Sequence, residues 1–166
     1  MLPDQPWLVM CPHCRAPLWI DELEKLGQVD PWDEDGGRLS DARICETPSP
    51  ADYFALLNKG IAEPNRERYA RLRLWWTEND RRRNQAGELL MSSREVMNLT
   101  AIAQKLDESI ASDLVMKAEA MRELGRFDDA LALLAKVSDE NLAQAVEIIR
   151  TLSAKKDPYV RQMNFR

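Results

Sequence analysis

The chain has 166 residues, of which 45% are hydrophobic and 31% are charged, as in an ordinary globular protein. Its formal net charge of -5 excludes a general nucleic-acid coat and a polybasic membrane binder. His13 is the only histidine, which excludes a multi-histidine metal site and leaves one candidate base for a Ser-His-Asp enzyme. The sequence pairs no nucleophile with a base, so we expect a protein that is not an enzyme.

The start of the chain has neither a basic segment nor an apolar stretch followed by small residues, so we expect no secretion signal. The longest apolar runs, such as residues 131–135, are far shorter than the ~18 residues that cross a bilayer. These observations predict a cytoplasmic protein with no membrane attachment. Its 3 cysteines are then expected to be reduced.

Residues 1–48 form a predicted head that contains short strands rather than helices. Seven of the 9 prolines lie within residues 1–50, and proline interrupts helices. Apolar residues at 7–10 and 17–20 predict two short strands around a turn, and residues 43–45 predict a third. We therefore expect a small, irregular, β-containing head.

Residues 49–166 form a predicted helical-hairpin domain, in which capping residues and apolar periodicity indicate about six helices. These helices begin at Ser49-Pro50, Pro64, Ser92, Ser112, Asp128 and Ser138, and the first ends at Gly60. The predicted buried stripes are Tyr69, Leu72 and Trp76 in the second helix and Val96, Leu99, Ile102 and Leu106 in the third. Helices of this length with short connectors pack as antiparallel neighbours.

Within that domain, residues 114–137 resemble one tetratricopeptide repeat. The resemblance rests on small, glycine, aromatic and apolar residues around one turn, namely Ala118, Gly125, Phe127, Ala130 and Leu134. Small residues let two helices approach closely, and glycine supplies a turn with positive φ. No second copy occurs at a ~34-residue period, so an isolated helical hairpin is the alternative. The expected fold is therefore mainly α, a tetratricopeptide-like array of antiparallel helical hairpins with a small β-containing head.

Arginine and aromatic side chains alternate along the second predicted helix. This combination is typical of nucleic-acid grooves, where guanidinium groups contact phosphates and rings stack on bases. The candidate residues for an anion or a partner are Arg66, Arg73, Arg81, Arg82 and Arg83. We expect the last three to be exposed with few internal ion pairs, because Asp80 is the only acidic residue next to them in sequence. The alternative is a solvated rim around a buried aromatic face.

The segment Cys11-Pro12-His13-Cys14 resembles one half of a zinc ribbon. Two thiolates separated by two residues on a tight turn match the tetrahedral coordination of Zn²⁺. A closed site needs four ligands, for which the candidates are Cys11, Cys14, Cys45 and either His13 or an acidic residue such as Glu46. A structural zinc ion is thus the candidate cofactor.

Two other interpretations of the cysteine turn remain. Thiol–disulfide exchange needs a helix that starts at Cys11, and Pro17 blocks such a helix, so this activity is disfavoured. The turn could also keep its shape without metal, held by the packing of Trp7, Leu18 and Trp19.

The sequence favours a non-enzymatic helical adaptor whose partner is a protein. The alternative is a zinc-knuckle, arginine-rich module that binds RNA or another phosphate-bearing partner. Retention on heparin that falls as salt rises would favour the second function. The sequence makes no prediction of the oligomeric state.

Overall fold

A computed structural model describes residues 6–27, 42–84 and 90–161 of the chain. The chain divides into two compact units, a head unit, Met1–Lys59, and a helical unit, Gly60–Arg166. A compact unit is not by itself an independently folding domain, so the predicted domain boundary after residue 48 stays a prediction.

The head unit contains a small antiparallel sheet of two strands, β1 (Leu8–Met10) and β2 (Pro17–Trp19). Leu8 pairs with Trp19 and Met10 with Pro17, and a 3₁₀ turn, Ile20–Glu22, follows β2. Both predicted strands are confirmed.

The third predicted strand, at residues 43–45, is wrong. The structure has only an isolated antiparallel bridge, in which Met10 N–H donates to the Glu46 carbonyl at 2.9 Å and Glu46 N–H donates to the Met10 carbonyl at 3.0 Å. Pro48 follows two residues later and has no N–H to extend the ladder. The segment therefore touches β1 at one residue instead of forming a strand.

Helix α1 (Pro50–Lys59) ends the head unit, and its caps are those that the sequence predicts. Asp52 N–H donates to Ser49 Oγ at 3.3 Å, and Ser49 N–H donates to Asp52 Oδ2 at 2.8 Å. Gly60 follows the helix with φ +86°, a conformation that glycine adopts without steric cost. The reciprocal cap and the glycine stop together define a short helix in a proline-rich region.

The described part of the helical unit contains five helices, α2 (Pro64–Asn84), α3 (Ser93–Lys105), α4 (Ala111–Glu123), α5 (Phe127–Leu134) and α6 (Ala143–Ala154), with a 3₁₀ turn, Glu140–Leu142, before α6. The prediction of a mainly helical fold with a small β-containing head is confirmed. A tetratricopeptide-like arrangement of these helices stays a prediction.

Local sequence signals define the ends of α3 and α4. Ser92, the predicted start of the third helix, forms a capping box with Glu95, and its N–H donates to Glu95 Oε2 at 2.6 Å. Gly125 has φ +74° after α4, and the next residue's N–H donates to the Met121 carbonyl at 2.8 Å. This αL turn lets α5 fold back and pack against α4.

One hydrophobic core in the helical unit contains buried residues from all five helices, α2 to α6. Of the residues predicted to pack the α4–α5 hairpin, Ala118 and Ala130 are fully buried, Leu134 is 1% exposed and Phe127 is half-buried. Alanine at these two positions leaves room for close contact between neighbouring helices.

Two predicted buried residues are on the surface. Trp76 is 44% exposed and Val96 is 38% exposed, so both predictions are wrong. The inward face of α2 passes instead through Leu72, Trp75, Asn79 and Arg82, at spacings of three and four residues. Because the buried face of α2 includes the polar residues Asn79 and Arg82, the spacing of apolar residues alone predicted the wrong face.

Among the residues that the structure describes, no helix has both the length and the apolar character that a bilayer span requires.

Candidate functional site

Arg82 is buried, so the prediction that Arg81, Arg82 and Arg83 are all exposed is wrong. Its side chain is 4% exposed, and its Nη2 donates to Glu123 Oε2 at 3.1 Å and to the side-chain oxygen of Asn79. Its Nη1 lies 3.6 Å from a carboxylate oxygen of Glu95. These carboxylates come from other helices, which is why neighbouring residues in the sequence did not reveal them.

Glu123 accepts hydrogen bonds from two further buried groups, Trp75 Nε1 at 3.1 Å and Asn79 Nδ2 at 2.9 Å. Burial raises the pKa of Glu123, and the nearby Glu119 carboxylate raises it further, while the Arg82 charge acts in the opposite direction. Together with Glu95, these residues form the buried ion cluster, defined as Trp75, Asn79, Arg82, Glu95 and Glu123. The cluster belongs to the interior of the fold.

Glu95 connects the buried ion cluster to the start of α3. Burial acts to raise its pKa, but hydrogen bonds from Ser92 and the charges of Arg82 and Arg81 together hold that pKa below its usual value. The carboxylate is therefore ionised and balances the buried guanidinium of Arg82. An external anion would have to displace it from a buried position, which is costly.

Three of the other predicted anion-binding residues also interact within the chain. Arg81 donates to Glu78 at 2.7 Å and to Glu95 at 3.4 Å, and Arg83 pairs with Asp80 at 2.5 Å. Arg66 is half-buried and also has a partner inside the chain. The charges of Arg81 and Arg83 are therefore balanced by carboxylates of this chain.

Arg73 differs from these four. No carboxylate pairs with it in the part of the chain that the structure describes, and its buried Nε has no hydrogen-bond partner there. Its guanidinium carbon lies 6.0 Å from the centroid of the Trp76 ring, one helical turn along α2. Arg73 and Trp76 thus present an unbalanced cation beside an exposed aromatic ring.

A groove of about 480 Å³ lies next to Trp76. Its apolar lining comes from α2, α4, α6 and the segment after α6, through Trp75, Trp76, Val115, Met116, Ile149 and Val160. Charged and polar side chains, among them Arg83 and Glu119, stand around this lining. We call this feature the Trp76 groove.

A second groove, of about 400 Å³, lies among α3, α4 and α5. Its two lysines already hold a carboxylate: Lys117 Nζ lies 2.8 Å and Lys136 Nζ 2.7 Å from the oxygens of Glu108. Hydrogen bonds from the two lysines, reinforced by their charges, lower the pKa of Glu108 to about 2. The intramolecular carboxylate occupies the position that an external anion would take.

The cysteine turn after β1 brings two thiols together. Cys11 N–H donates to the Ala16 carbonyl and Arg15 N–H donates to the Cys11 carbonyl, both at 2.9 Å, and Arg15 has φ +57°. Hydrogen bonds from the backbone of Cys14 and then of His13 lower the pKa of the Cys11 thiol. The turn therefore stabilises a thiolate at Cys11.

The other predicted metal ligands do not complete a site in this structure. Cys45 is free and exposed, His13 is exposed, and Arg15 binds the carboxylate of Glu46. Within residues 6–27, 42–84 and 90–161, no three histidine, cysteine or acidic side chains are gathered as a metal would require. The structure thus brings the free thiols of Cys11 and Cys14 close together and does not gather the other predicted ligands, Cys45, His13 and Glu46, around them.

Sequence reasoning missed Asn79 and Glu123, and it missed the contact between Glu95 and Arg82. The position of Arg82 was the signal that could have revealed them, because it lies seven residues after Trp75 on the inward face of α2. A buried arginine requires a carboxylate or other acceptors within the fold.

Comparison with known proteins gives no assignment. No family model matches the chain, and neither a curated protein nor a solved structure matches it. A function has to be argued from the geometry above.

Proposed function

We propose that this protein is a non-enzymatic adaptor whose helical unit binds a partner protein at the Trp76 groove. The single observation that carries the proposal is the exposure of Trp76, at 44%, on the edge of an apolar groove of about 480 Å³. A tryptophan at the centre of an interface loses a large apolar area to its partner, and such residues often dominate the binding energy.

The charges near the groove specify the chemistry of the partner. Arg83 is balanced by Asp80 and Arg161 by Asp157, whereas Arg73 beside Trp76 has no balancing carboxylate among the described residues. An apolar side chain in the groove with a carboxylate close to it would satisfy both features. The proposed partner is therefore a protein segment that combines apolar and acidic residues.

The RNA-binding alternative receives less support. Phosphate recognition needs several arginines that are free to face the ligand, and Arg82 is buried while Arg81 and Arg83 are ion-paired. Heparin retention stays a direct test, and we expect it to be weak.

The proposal includes a cytoplasmic location. The cysteines of the chain are free, and reduced thiols suit a reducing compartment.

Selection of peptides from a displayed random library on the immobilised full chain tests the adaptor function. We expect enriched peptides to carry an aromatic or aliphatic residue with Asp or Glu nearby. Trp76→Ala should weaken binding of a selected peptide at least tenfold, the loss expected for about 1.4 kcal/mol or more. Arg73→Gln should weaken the binding of peptides that contain Asp or Glu. It should not change the binding of the same peptides with Asn or Gln in place of those acidic residues.

Two exposed residues elsewhere provide matched controls. Trp7 is 53% exposed in the head unit, and the side chain of Arg150 on α6 is 48% exposed. Trp7→Ala and Arg150→Gln should leave peptide affinity unchanged. A selection without enrichment, or binding that is insensitive to both Trp76→Ala and Arg73→Gln, would contradict the proposed function.

A further inference from the structure

Residues 20–27 of the head unit combine apolar and acidic side chains at the protein surface. Leu23 is 47% exposed and Leu26 is 83% exposed. The other residues from 21 to 27 are exposed as well, and they include three acidic side chains and one lysine. We call residues 20–27 the acidic leucine segment. It has the composition that the proposed function assigns to a ligand of the Trp76 groove.

The order of residues in the acidic leucine segment fits the position of Arg73 beside the groove. Glu24 follows Leu23 directly and is exposed, and residues 24–27 form neither a helix nor a strand. Consecutive Cα atoms lie ~3.8 Å apart, and neighbouring side chains of an extended chain point to opposite sides. The guanidinium carbon of Arg73 lies 6.0 Å from the centroid of the Trp76 ring, which lines the groove. A leucine held against Trp76 therefore brings the carboxylate that follows it within reach of Arg73.

Other exposed apolar side chains do not offer this combination. Ile44 stands next to Arg43, and the carboxylate of Glu46 is held in an ion pair within the head unit. Ile110 is also exposed, but Glu108, two residues before it, is bound by two lysines. The carboxylates near these isoleucines are therefore already engaged, so the acidic leucine segment is the better match for the groove.

We propose that the acidic leucine segment of one copy of this chain occupies the Trp76 groove of a second copy. Leu23 and Leu26 enter the groove, and Glu24 pairs with Arg73. The inference rests on the proposed function, because it uses the same groove and names its occupant. Burial of apolar area supplies the affinity, and the complementary charges orient the segment.

The two surfaces of this contact are different, so the contact is heterologous. A pair of chains joined in this way keeps one unused groove and one unused segment, to which further copies can add. Self-association therefore continues beyond a dimer as the protein concentration rises.

Sedimentation velocity of the native chain over a wide concentration range, under reducing conditions, tests the self-association. We expect the average mass to rise with concentration, and to rise less at high salt, which screens the pair of Glu24 and Arg73. Trp76→Ala, and the double substitution Leu23→Ser with Leu26→Ser, should each weaken self-association at least about tenfold.

Two exposed apolar residues outside both surfaces provide matched controls. Ile44 is 93% exposed in the head unit, and Met97 is 72% exposed on α3. Ile44→Ser and Met97→Ser should self-associate like the native chain. Equal losses in these controls and in the Leu23→Ser, Leu26→Ser double variant would overturn the inference, because the association would then come from general stickiness of exposed apolar side chains.

Mixing two defective variants separates the loss of one surface from general damage. The Trp76→Ala chain keeps its acidic leucine segment, and the chain with Leu23→Ser and Leu26→Ser keeps its groove. A mixture should therefore form a dimer of one chain of each kind, although neither variant self-associates alone. A mixture that stays monomeric would contradict the pairing of these two surfaces.

A synthetic peptide of residues 19–27 separates this inference from the proposed function. We expect it to bind the chain with Leu23→Ser and Leu26→Ser, and to lose at least about tenfold in affinity when Trp76→Ala is added. If a library-selected peptide binds at Trp76 while the 19–27 peptide does not, the proposed function stands and this inference is overturned. A native chain that stays monomeric at every concentration overturns the inference as well.

Discussion

The helical unit and the head unit differ in the burial of their charged and thiol side chains. In the helical unit, Arg82, Glu95 and Glu123 are buried and form ion pairs with one another, whereas in the head unit Cys14 and Cys45 stay at the surface. A charge inside a protein is tolerated only when it is paired and hydrogen-bonded, so a sequence rich in charges need not be a binding surface. Residues that the fold does not satisfy are the better candidates for external ligands.

Arg122 shows the same rule a second time in the helical unit. It is fully buried, pairs with Glu119 at 2.7 Å and donates to the carbonyl oxygens of Asp157 and Tyr159. This guanidinium joins α4 to the segment that follows α6. Its charge therefore serves the fold, as that of Arg82 does.

The largest expected effect comes from the apolar core of the helical unit. Leu134 is 1% exposed on α5, so Leu134→Asp should lower the free energy of unfolding by more than about 4 kcal/mol, because it removes packing and buries a carboxylate. Leu131 is half-buried, and Leu131→Asp should cost less. Urea unfolding followed by circular dichroism measures both. Equal, small losses would show that α5 does not pack in this orientation.

Arg82→Ala tests whether the buried ion cluster belongs to the fold. It leaves Glu123 buried without its cation, and we expect a loss of about 3–5 kcal/mol in the free energy of unfolding. Arg83→Ala is the matched control, because the side chain of Arg83 is 40% exposed and pairs with an exposed carboxylate, so its loss should stay below about 1 kcal/mol. If Arg82→Ala and Arg83→Ala had equal stability, the buried ion cluster would not contribute to the stability of the fold.

Gly125→Ala isolates the backbone conformation of the α4–α5 turn. Nothing lies within 4 Å of an added Cβ, so the cost should come from φ +74° alone and amount to about 1–2 kcal/mol. Gly27 also has open space around it and has no positive φ, so Gly27→Ala should be nearly neutral. Thermal unfolding of both variants compares them, and an unchanged melting temperature for Gly125→Ala would refute the αL turn.

The smallest effect concerns Glu108 and depends on pH. Its two lysine partners depress the pKa of this carboxyl from 4.5 to about 2, so its stabilising contribution is present above about pH 4.5 and is lost as the pH falls towards 2. Glu108→Gln should melt slightly below the native chain at neutral pH, and the difference should vanish near pH 2. High salt should shrink it too, since the side chain is 43% exposed. A difference that stays constant with pH would exclude this ion pair as its cause.

Local signals in the sequence were sufficient for most of the fold. The Ser92–Glu95 capping box and Gly125 act on backbone within a few residues, so their effects can be predicted from the sequence. The starts of α1, α2 and α3 followed from such signals, whereas α6 begins at Ala143, five residues after the predicted Ser138. Most predicted core positions of α4 and α5 are buried.

Long-range pairing set the limit of prediction. The partner of Arg82 lies 41 residues away in Glu123, and no periodicity links the two. The inward face of α2 was assigned to Trp76 instead of Trp75 because a polar residue such as Asn79 was not expected there. The backbone bridge between Met10 and Glu46 likewise joins residues whose spacing in the sequence does not reveal the contact.

The most direct test of the adaptor function is a two-dimensional ¹⁵N NMR titration of the native chain with a library-selected peptide. The account predicts that the indole N–H signal of Trp76 shifts with a saturable dependence on peptide concentration, while that of Trp7 does not. Backbone amide signals of Val115 and Ile149, which line the same groove, should shift at the same midpoint. A peptide that binds while the Trp76 signal stays in place would contradict the central claim, because the ligand would then occupy another surface.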